Sequence, residues 1–397
     1  MKIVILNDMH PDDMPGAASV AFNFALEASK KHNVQFWCGF TESKTIYKID
    51  KIQLRLCKIN VNSENRRNKH LGFKIIGEFL SINTLFWSFK NLIKEKPNAI
   101  WIHQIGNRFP RTIIPVARLL RIQVHITLHD FSSLIPRKLY PDDLGMRIDN
   151  ADQEIAYLLQ QKDAEKISLN LEWKNKKFLF KLRLLLNRIL TNFANEVICI
   201  SELQTRILSS FKFNITRTIP NGVAMCTCEQ IGELDRFKNS IMFVGRPNGK
   251  GFEKILDAVH ANPKWHLHIA GPDRLLELAL GVLRPDRFTF YGKLSPKELF
   301  RIFHRVNIVS VISQCFDVYP TVTLEAMRHN ALVITTKVTG NSKLVSDFIA
   351  NLIVDYGEIP NLNKFEPMFE DKTYQKLLEF ADANILSIEK SFSKYEF

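Results

Sequence analysis

Ser313-Gln-Cys-Phe-Asp-Val-Tyr-Pro-Thr-Val-Thr-Leu-Glu-Ala-Met327 places two carboxylates, Asp317 and Glu325, on either side of an expected helix start. Ile308 to Ser313, just upstream, is an apolar β-branched run that reads as a buried strand. Pro320 suits the first helical position, where its missing N–H would go unpaired in any case. The amides of Thr321, Val322 and Thr323 then lie at the positive end of a helix, which favours an anion such as a phosphate. Glu325 follows Thr321 by one turn, so the two share a face. The stretch reads as a strand, a tight turn carrying Asp317 and a helix N-terminus directed at an anion. Taken alone, the same spacing also describes a helix-capping aspartate followed by a solvated glutamate, so the choice rests on the remainder of the chain.

Upstream, Ser240 to Val244 reads as an apolar strand running into Gly245-Arg-Pro-Asn-Gly-Lys250-Gly251. A glycine-rich turn with Arg and Lys before a helix can bring two cations and backbone amides to a diphosphate, although an isolated loop of this kind is also an ordinary turn. Pro220-Asn-Gly is strong turn chemistry after an extended segment. At the other end of the chain, Lys2 to Leu6 reads as a buried strand, Ala17 to Lys31 as a helix and Val34 to Trp37 as a second strand. Strand, glycine-containing turn and helix make a doubly wound arrangement, which binds ligands beyond the carboxyl ends of its strands. No G-x-G-x-x-G occurs, which disfavours a nicotinamide dinucleotide. Ala99 to His103 and Gln123 to Leu128 read as two more strands, the second ending in His129-Asp130. Polar residues at such strand ends sit where ligands bind.

Length and composition bound the answer. The 397 residues are enough for two domains, and 46% hydrophobic with 24% charged residues describes a globular chain. The balance of 54 basic against 41 acidic residues, a net of +13, favours polyanionic or phosphorylated partners. A nucleic-acid binder would share that charge, but no nucleic-acid motif or aromatic stacking platform is present. The six cysteines are scattered without a C-x-x-C, as in reduced cytosolic proteins, and Cys226-Thr-Cys228 alone is weak support for a metal. No leader precedes the first strand and no long apolar run occurs, so a cytoplasmic chain is expected, with the inner face of the cell membrane as a further possibility. Ile75 to Ile93 and Trp173 to Leu190 are basic, aromatic and helical in period. They read either as core-facing helices with solvated basic faces or as surfaces that rest on anionic lipid.

The pattern acid, two residues, Pro, four residues, Glu-Ala-Met, from Asp317 to Met327, resembles the paired-acid signature of retaining nucleotide-sugar glycosyltransferases of family 4. The resemblance runs in order along the chain. Pro15-Gly16-Ala17 is similar to a Gly-Gly loop, and His103 and His129-Asp130 to two histidine-bearing strand ends. Ala194 to Ser201 resembles the closing strand of a first domain, and Ile219-Pro-Asn-Gly-Val the entry to a second. Gly245-Arg246 with Lys250-Gly251 is similar to the diphosphate loop, Phe288 to Leu294 to the strand that borders the base, and Ala331 to Ser342 to the closing strand and turn. This sequence has Asp317 where the family has Glu, lacks the acid after Val223, and has a loop one residue shorter between Arg246 and Lys250.

The resemblance implies a GT-B fold, two Rossmann-like α/β domains facing a cleft. It places an acceptor-binding domain at 1–212, a donor-binding domain at 213–371, and a C-terminal helix, 372–397, returning to the first. It implies transfer of a hexose or N-acetylhexosamine from a UDP- or GDP-linked sugar to a glycan or lipid-linked acceptor, with retention, in cell-surface polysaccharide or lipopolysaccharide synthesis. His129, Asp317 and Glu325 would be catalytic. Gly16, Arg246, Lys250, Tyr291, Tyr319, Thr321, Val322 and Glu325 would hold the donor, and His103, Asp130 and Arg137 the acceptor side, within a candidate loop at 131–150. No cofactor and no obligate metal are expected, because the cations can replace the ion and the Asp-x-Asp signature is absent. An epimerase on the same fold, or a degenerate non-enzymatic partner protein, would share these features.

Overall fold

A computed structural model describes residues 1–10, 16–40, 47–49, 52–58, 77–106, 108–134, 177–224, 235–247, 249–315 and 317–395. The described residues divide into two compact units, one of those up to 220 together with 388–395, the other of those within 221–387. The first unit is built on β1 (Lys2–Asn7), α1 (Ala17–Ser29), β2 (Asn33–Phe40), β3 (Tyr47–Ile49), β4 (Ile52–Lys58), α2 (Ile82–Glu95), β5 (Ala99–Gln104), α3 (Ile113–Leu119), β6 (Gln123–Leu128), α4 (Lys177–Asn192), β7 (Glu196–Cys199), α5 (Glu202–Ser210) and β8 (Arg217–Thr218). Its sheet runs β3-β4-β2-β1-β5-β6-β7-β8, parallel except for the β3–β4 pair. Strands such as β1 and β5 are apolar on both faces because helices cover both, as all-parallel pairing requires.

The second unit follows the same plan with β9 (Ser240–Val244), α6 (Phe252–Ala261), β10 (His266–Ala270), α7 (Arg274–Leu280), β11 (Phe288–Phe290), α8 (Pro296–Phe303), β12 (Ile308–Val311), α9 (Thr321–Arg328), β13 (Leu332–Thr336), α10 (Ser342–Phe348), β14 (Ile353–Val354) and α11 (Asp371–Asn384). Its six strands run β11-β10-β9-β12-β13-β14, all parallel. Order reverses between β9 and β12, so the loops after these two strands flank the crevice where such sheets bind ligands. Each unit is thus a doubly wound, Rossmann-like α/β layer structure.

Two boundaries differ from expectation. The units part at 220/221 and 387/388 rather than at 212/213 and 371/372. Helix α11 packs on α9 in the second unit, burying Tyr374, Leu377 and Ala381. Only the final segment, with α12 (Ile388–Phe392), belongs to the first unit. There Tyr395 lies 4.6 Å from the Trp101 ring, and Ser391 Oγ donates to the Pro220 carbonyl at 2.6 Å.

The two basic helices also differ from a core-facing reading. Helix α2 buries Thr84, Ser88 and Leu92, and α4 buries Arg183, Asn187 and Thr191, while larger apolar side chains of both face outward. The inward polar face of α4 has a definite partner. Glu78 accepts from Arg183 Nε at 2.7 Å and Arg183 Nη2 at 2.8 Å, and from Arg111 Nε at 2.9 Å. Arg111 and Arg183 are both buried, and Arg183 Nη2 also donates to the Ser132 carbonyl at 2.7 Å. The loop after β6 is fixed by this cluster.

Arg137 and the rest of 135–150, the stretch 151–176, Arg66, Arg67, Lys69 and Lys74, and Cys226 and Cys228 lie outside the described residues. Cys38, Cys199 and Cys315 are buried thiols. No helix among the described residues is long and apolar enough to cross a membrane.

Candidate functional site

In the second unit the loops after β9 and β12 are fastened to each other. The Gln314 amide donates to the Gly249 carbonyl at 2.9 Å, and Cys315 Sγ reaches the same oxygen at 3.3 Å. Gly251, at φ +74°, is pressed against β12: a Cβ there would lie 2.2 Å from the Ile312 carbonyl oxygen. Only glycine tolerates both the left-handed backbone and that approach. The consequence is that Lys250, just before α6, is delivered to the carboxylate of Asp317.

Lys250 Nζ pairs with Asp317 Oδ2, which also accepts from Ser313 Oγ at 3.0 Å. Burial works against the Lys250 ammonium, but the Asp317 charge and hydrogen bond outweigh it and hold the lysine above its ordinary range. Asp317 is itself pinned by its backbone. Its amide donates to the Val338 carbonyl at 3.1 Å, and the Gly340 amide donates to the Asp317 carbonyl at 2.7 Å. Loop, ion pair and closing turn form one unit around the start of α9.

That helix starts one residue later than expected: Pro320 is the cap, with extended backbone, and Thr321 is the first helical residue. The Thr323 amide turns back to the Pro320 carbonyl at 3.2 Å, which leaves the amides of Thr321 and Val322 leading the helix. Asn341 Nδ2 holds the same Pro320 carbonyl at 2.9 Å. Glu325, one turn in, is pushed up to about 7 by burial, an effect that the Thr321 hydroxyl partly offsets. A half-buried carboxyl near neutrality, amides at a positive helix end and a lysine already paired can together meet sugar hydroxyls and an anion. Arg246 is exposed on the first loop. Tyr319 is half-buried against the core, and burial pushes its phenol up to about 12. Tyr291 turns its hydroxyl onto His268 Nδ1 at 2.8 Å and stacks on that ring.

In the first unit, Gly16 caps α1 at φ +100°. His103 Nδ1 and His129 Nε2, at the ends of β5 and β6, share a hydrogen bond of 2.7 Å, with the rings nearly parallel. Burial lowers His129 to about 4, and burial with the neighbouring His129 lowers His103 well below the ordinary histidine range. The pair is therefore neutral at pH 7, one nitrogen donating and the other accepting. Asp130 receives the Ser132 amide at 2.8 Å and Gln104 Nε2 at 3.3 Å. His103, His129, Asp130, Gln104, Arg111 and Ser133 line one small hollow.

The sequence reading missed Ser313 as a second donor to Asp317, the direct contact between the two histidines, and Asp8, whose Oδ1 accepts the amides of Arg108 and Phe109 at 3.1 and 2.9 Å. Polar residues closing apolar strands were the signal available for all three. Among the described residues, no group of three His, Cys, Asp or Glu side chains could hold a metal ion.

Residues 229–365, which contain the Lys250–Asp317 pair and α9, match the family model described as "Glycosyl transferases group 1". The chain carries the domain of a transferase enzyme. A search of curated proteins finds no match. Among solved structures, sucrose-phosphate synthase of Thermosynechococcus elongatus superposes with a TM-score of 0.70 at 16% identity, over 99% of this chain and 96% of that one. Anabaena HepE in complex with UDP-glucose has a TM-score of 0.63 at 15% identity, over 99% and 98%. WaaG, a glycosyltransferase involved in lipopolysaccharide biosynthesis, has a TM-score of 0.60 at 12% identity, over 99% and 98%. These likenesses establish the GT-B fold.

Proposed function

We propose that this chain is a retaining glycosyltransferase of family 4 type that moves a hexose or N-acetylhexosamine from a UDP- or GDP-linked donor to a glycan or lipid-linked acceptor. The observation that carries the reading is Lys250 seated on Asp317 beside the amides of Thr321 and Val322, with Glu325 one turn further on. Cleavage of the sugar–phosphate bond builds charge on the leaving diphosphate. Lys250, Arg246 from the same loop and the two leading amides are the groups to stabilise it. Asp317 keeps Oδ1 for a sugar hydroxyl while Oδ2 fixes the lysine. Glu325 would accept from the ribose hydroxyls in its ionised form. Neutral His129, with His103 behind it, would orient the sugar or acceptor by hydrogen bonding, because its lowered pKa disfavours a cationic role at pH 7. Asp130 and Arg137 would serve the acceptor.

Complexes of a structural neighbour with UDP-glucose support the donor class, and the lipopolysaccharide role of another supports a cell-surface glycan as acceptor. Cations in place of a metal support activity without a divalent ion. Calorimetric titration with UDP, GDP, TDP and ADP, repeated with Arg246→Ala, tests the reading: one nucleotide should bind selectively, and the variant should lose it. Activity in chelator and an unchanged anomeric configuration in the product, read by NMR, would complete it. Binding of no nucleotide would overturn it.

A further inference from the structure

Helices α2, α3 and α4 form a layer in the first unit, α3 packing against both of the others. Their outward side is apolar in a way a solvated layer is not. On α2, Ile82, Phe86, Phe89 and Ile93 fall at intervals of four, three and four residues, one helical stripe, with Ile82 at 72% and Phe86 at 68% exposure. Leu119 at the end of α3 is 83% exposed, and Leu185, Ile189 and Phe193 continue the exposed set along and just past α4. The inward sides are mixed: Thr84 and Ser88 lie beside Leu92 on α2, Ile113, Ile114 and Ala117 are buried on α3, and Arg183, Asn187 and Thr191 are buried on α4. Helices that bury threonine, serine and arginine while exposing phenylalanine have been shaped by something on their outer face.

Among the described residues, the exposed charges on these helices and their ends are basic. Lys90 and Lys94 border the α2 stripe, Lys96 follows it, and Arg118 and Arg121 flank Leu119. Neither α3 nor α4 contains an acidic residue, and the single one on α2, Glu95, is turned onto Lys2 Nζ at 2.6 Å and Gln35 Nε2 at 2.8 Å. Apolar side chains interleaved with lysine and arginine, with no exposed acid on the three described helices, match an anionic bilayer. Phenylalanine and isoleucine enter the acyl boundary while the ammonium and guanidinium groups stay at the headgroups. A protein partner would have to supply both an apolar face and a rim of acids in fixed register, whereas a fluid anionic bilayer offers both without shape matching.

We infer that the α2–α3–α4 face docks the first unit on an anionic lipid surface. Flotation of the purified chain with vesicles of phosphatidylcholine alone, and of phosphatidylcholine mixed with phosphatidylglycerol, tests this. The chain should float with the mixed vesicles, less at high salt, and stay behind with phosphatidylcholine alone. Phe86→Ser with Phe89→Ser, and separately Lys90→Glu with Lys94→Glu, should each reduce the bound fraction at least about tenfold, with circular dichroism and nucleotide titration as in the unaltered chain. The lysines are exposed, so the second pair tests the face even where the first perturbs folding. Failure to float with mixed vesicles, or undiminished flotation of both variants, overturns the inference. So does a self-associated chain that the phenylalanine variant turns into monomers, because the face would then be a contact between copies.

Discussion

The Lys250–Asp317 pair of the second unit and the His103–His129 pair of the first answer burial in opposite ways. The former joins loops that follow two strands and the latter joins two strand ends, and both are largely withdrawn from water. In the second unit the charges survive, because carboxylate and ammonium meet directly and Ser313 supplies a further bond. In the first the two imidazoles have only each other, so burial drives both to the neutral form. Desolvation removes a charge unless an opposite charge lies within reach. The second unit thus holds an ion pair and the first a neutral hydrogen-bonding pair.

The Glu78 cluster is where the first unit comes closest to the behaviour of the second, and there the largest effect is expected. Two buried arginines share one carboxylate. Glu78→Ala would leave both uncompensated, a loss of about 3–5 kcal/mol on the measured scale for broken buried pairs. Thermal or urea unfolding should register it as a lower midpoint of the first unit, with nucleotide binding to the second retained. An unchanged midpoint would mean that the cluster is hydrated and that the contrast between the units is overstated.

Lys250→Ala comes next. It removes the cation expected to meet the leaving diphosphate and strands Asp317, so kcat/KM should fall by about 10²–10³, the range for removal of one charge-stabilising donor. Asp317→Asn keeps the shape but weakens the hold on Lys250, and should fall less. Kinetics with the preferred donor would separate the two, and equal losses would sink the assignment of Lys250 as the principal cation.

Much of the second unit was legible because its signals are local. Ser240 to Val244 alternates with nothing polar and became β9 unchanged, and Gly251 had to be glycine for a reason that lies one strand away but shows as a glycine-rich turn. Asp317 and Glu325 stood out through the resemblance rather than through spacing alone, and Pro320 proved to be the cap, with extended backbone, rather than the first helical residue. The first unit hid more. The contact of His103 with His129 joins residues 26 apart in sequence, and the inward polar face of α4 is held by Glu78, 105 residues before Arg183. Helical periodicity locates a stripe of apolar residues and says nothing about whether that stripe looks inward. The returning segment was begun too early for a similar reason: α11 is amphipathic, and its partner α9 could not be told from α1 by pattern alone, whereas α12 does belong to the first unit.

The smallest expected effects are also the ones that separate the two units by sign. Glu325 has a folded value of about 7, above the ordinary 4.5, so the native second unit holds a proton that the unfolded chain has released. Its contribution is full below about pH 4.5 and is lost as pH rises to 7, on the order of 2 kcal/mol for a partly exposed group. His129 runs the other way. Its folded value of about 4 lies below the ordinary 6.5, so its contribution is full above 6.5 and is lost as pH falls toward 4, and His103 shifts in the same direction. Amide hydrogen exchange across pH 4.5–7 should therefore show the second unit opening more readily as pH rises and the first as it falls, with Glu325→Gln flattening one trend and His129→Gln the other. Nucleotide binding couples to the first of these trends. Ribose hydroxyls that donate to Glu325 favour its ionised form, so binding near pH 6.5 should release a proton, visible by calorimetry in buffers of different ionisation enthalpy and absent in Glu325→Gln. Release of no proton would place the ribose away from Glu325 and leave that carboxyl a buried acid of the second unit alone.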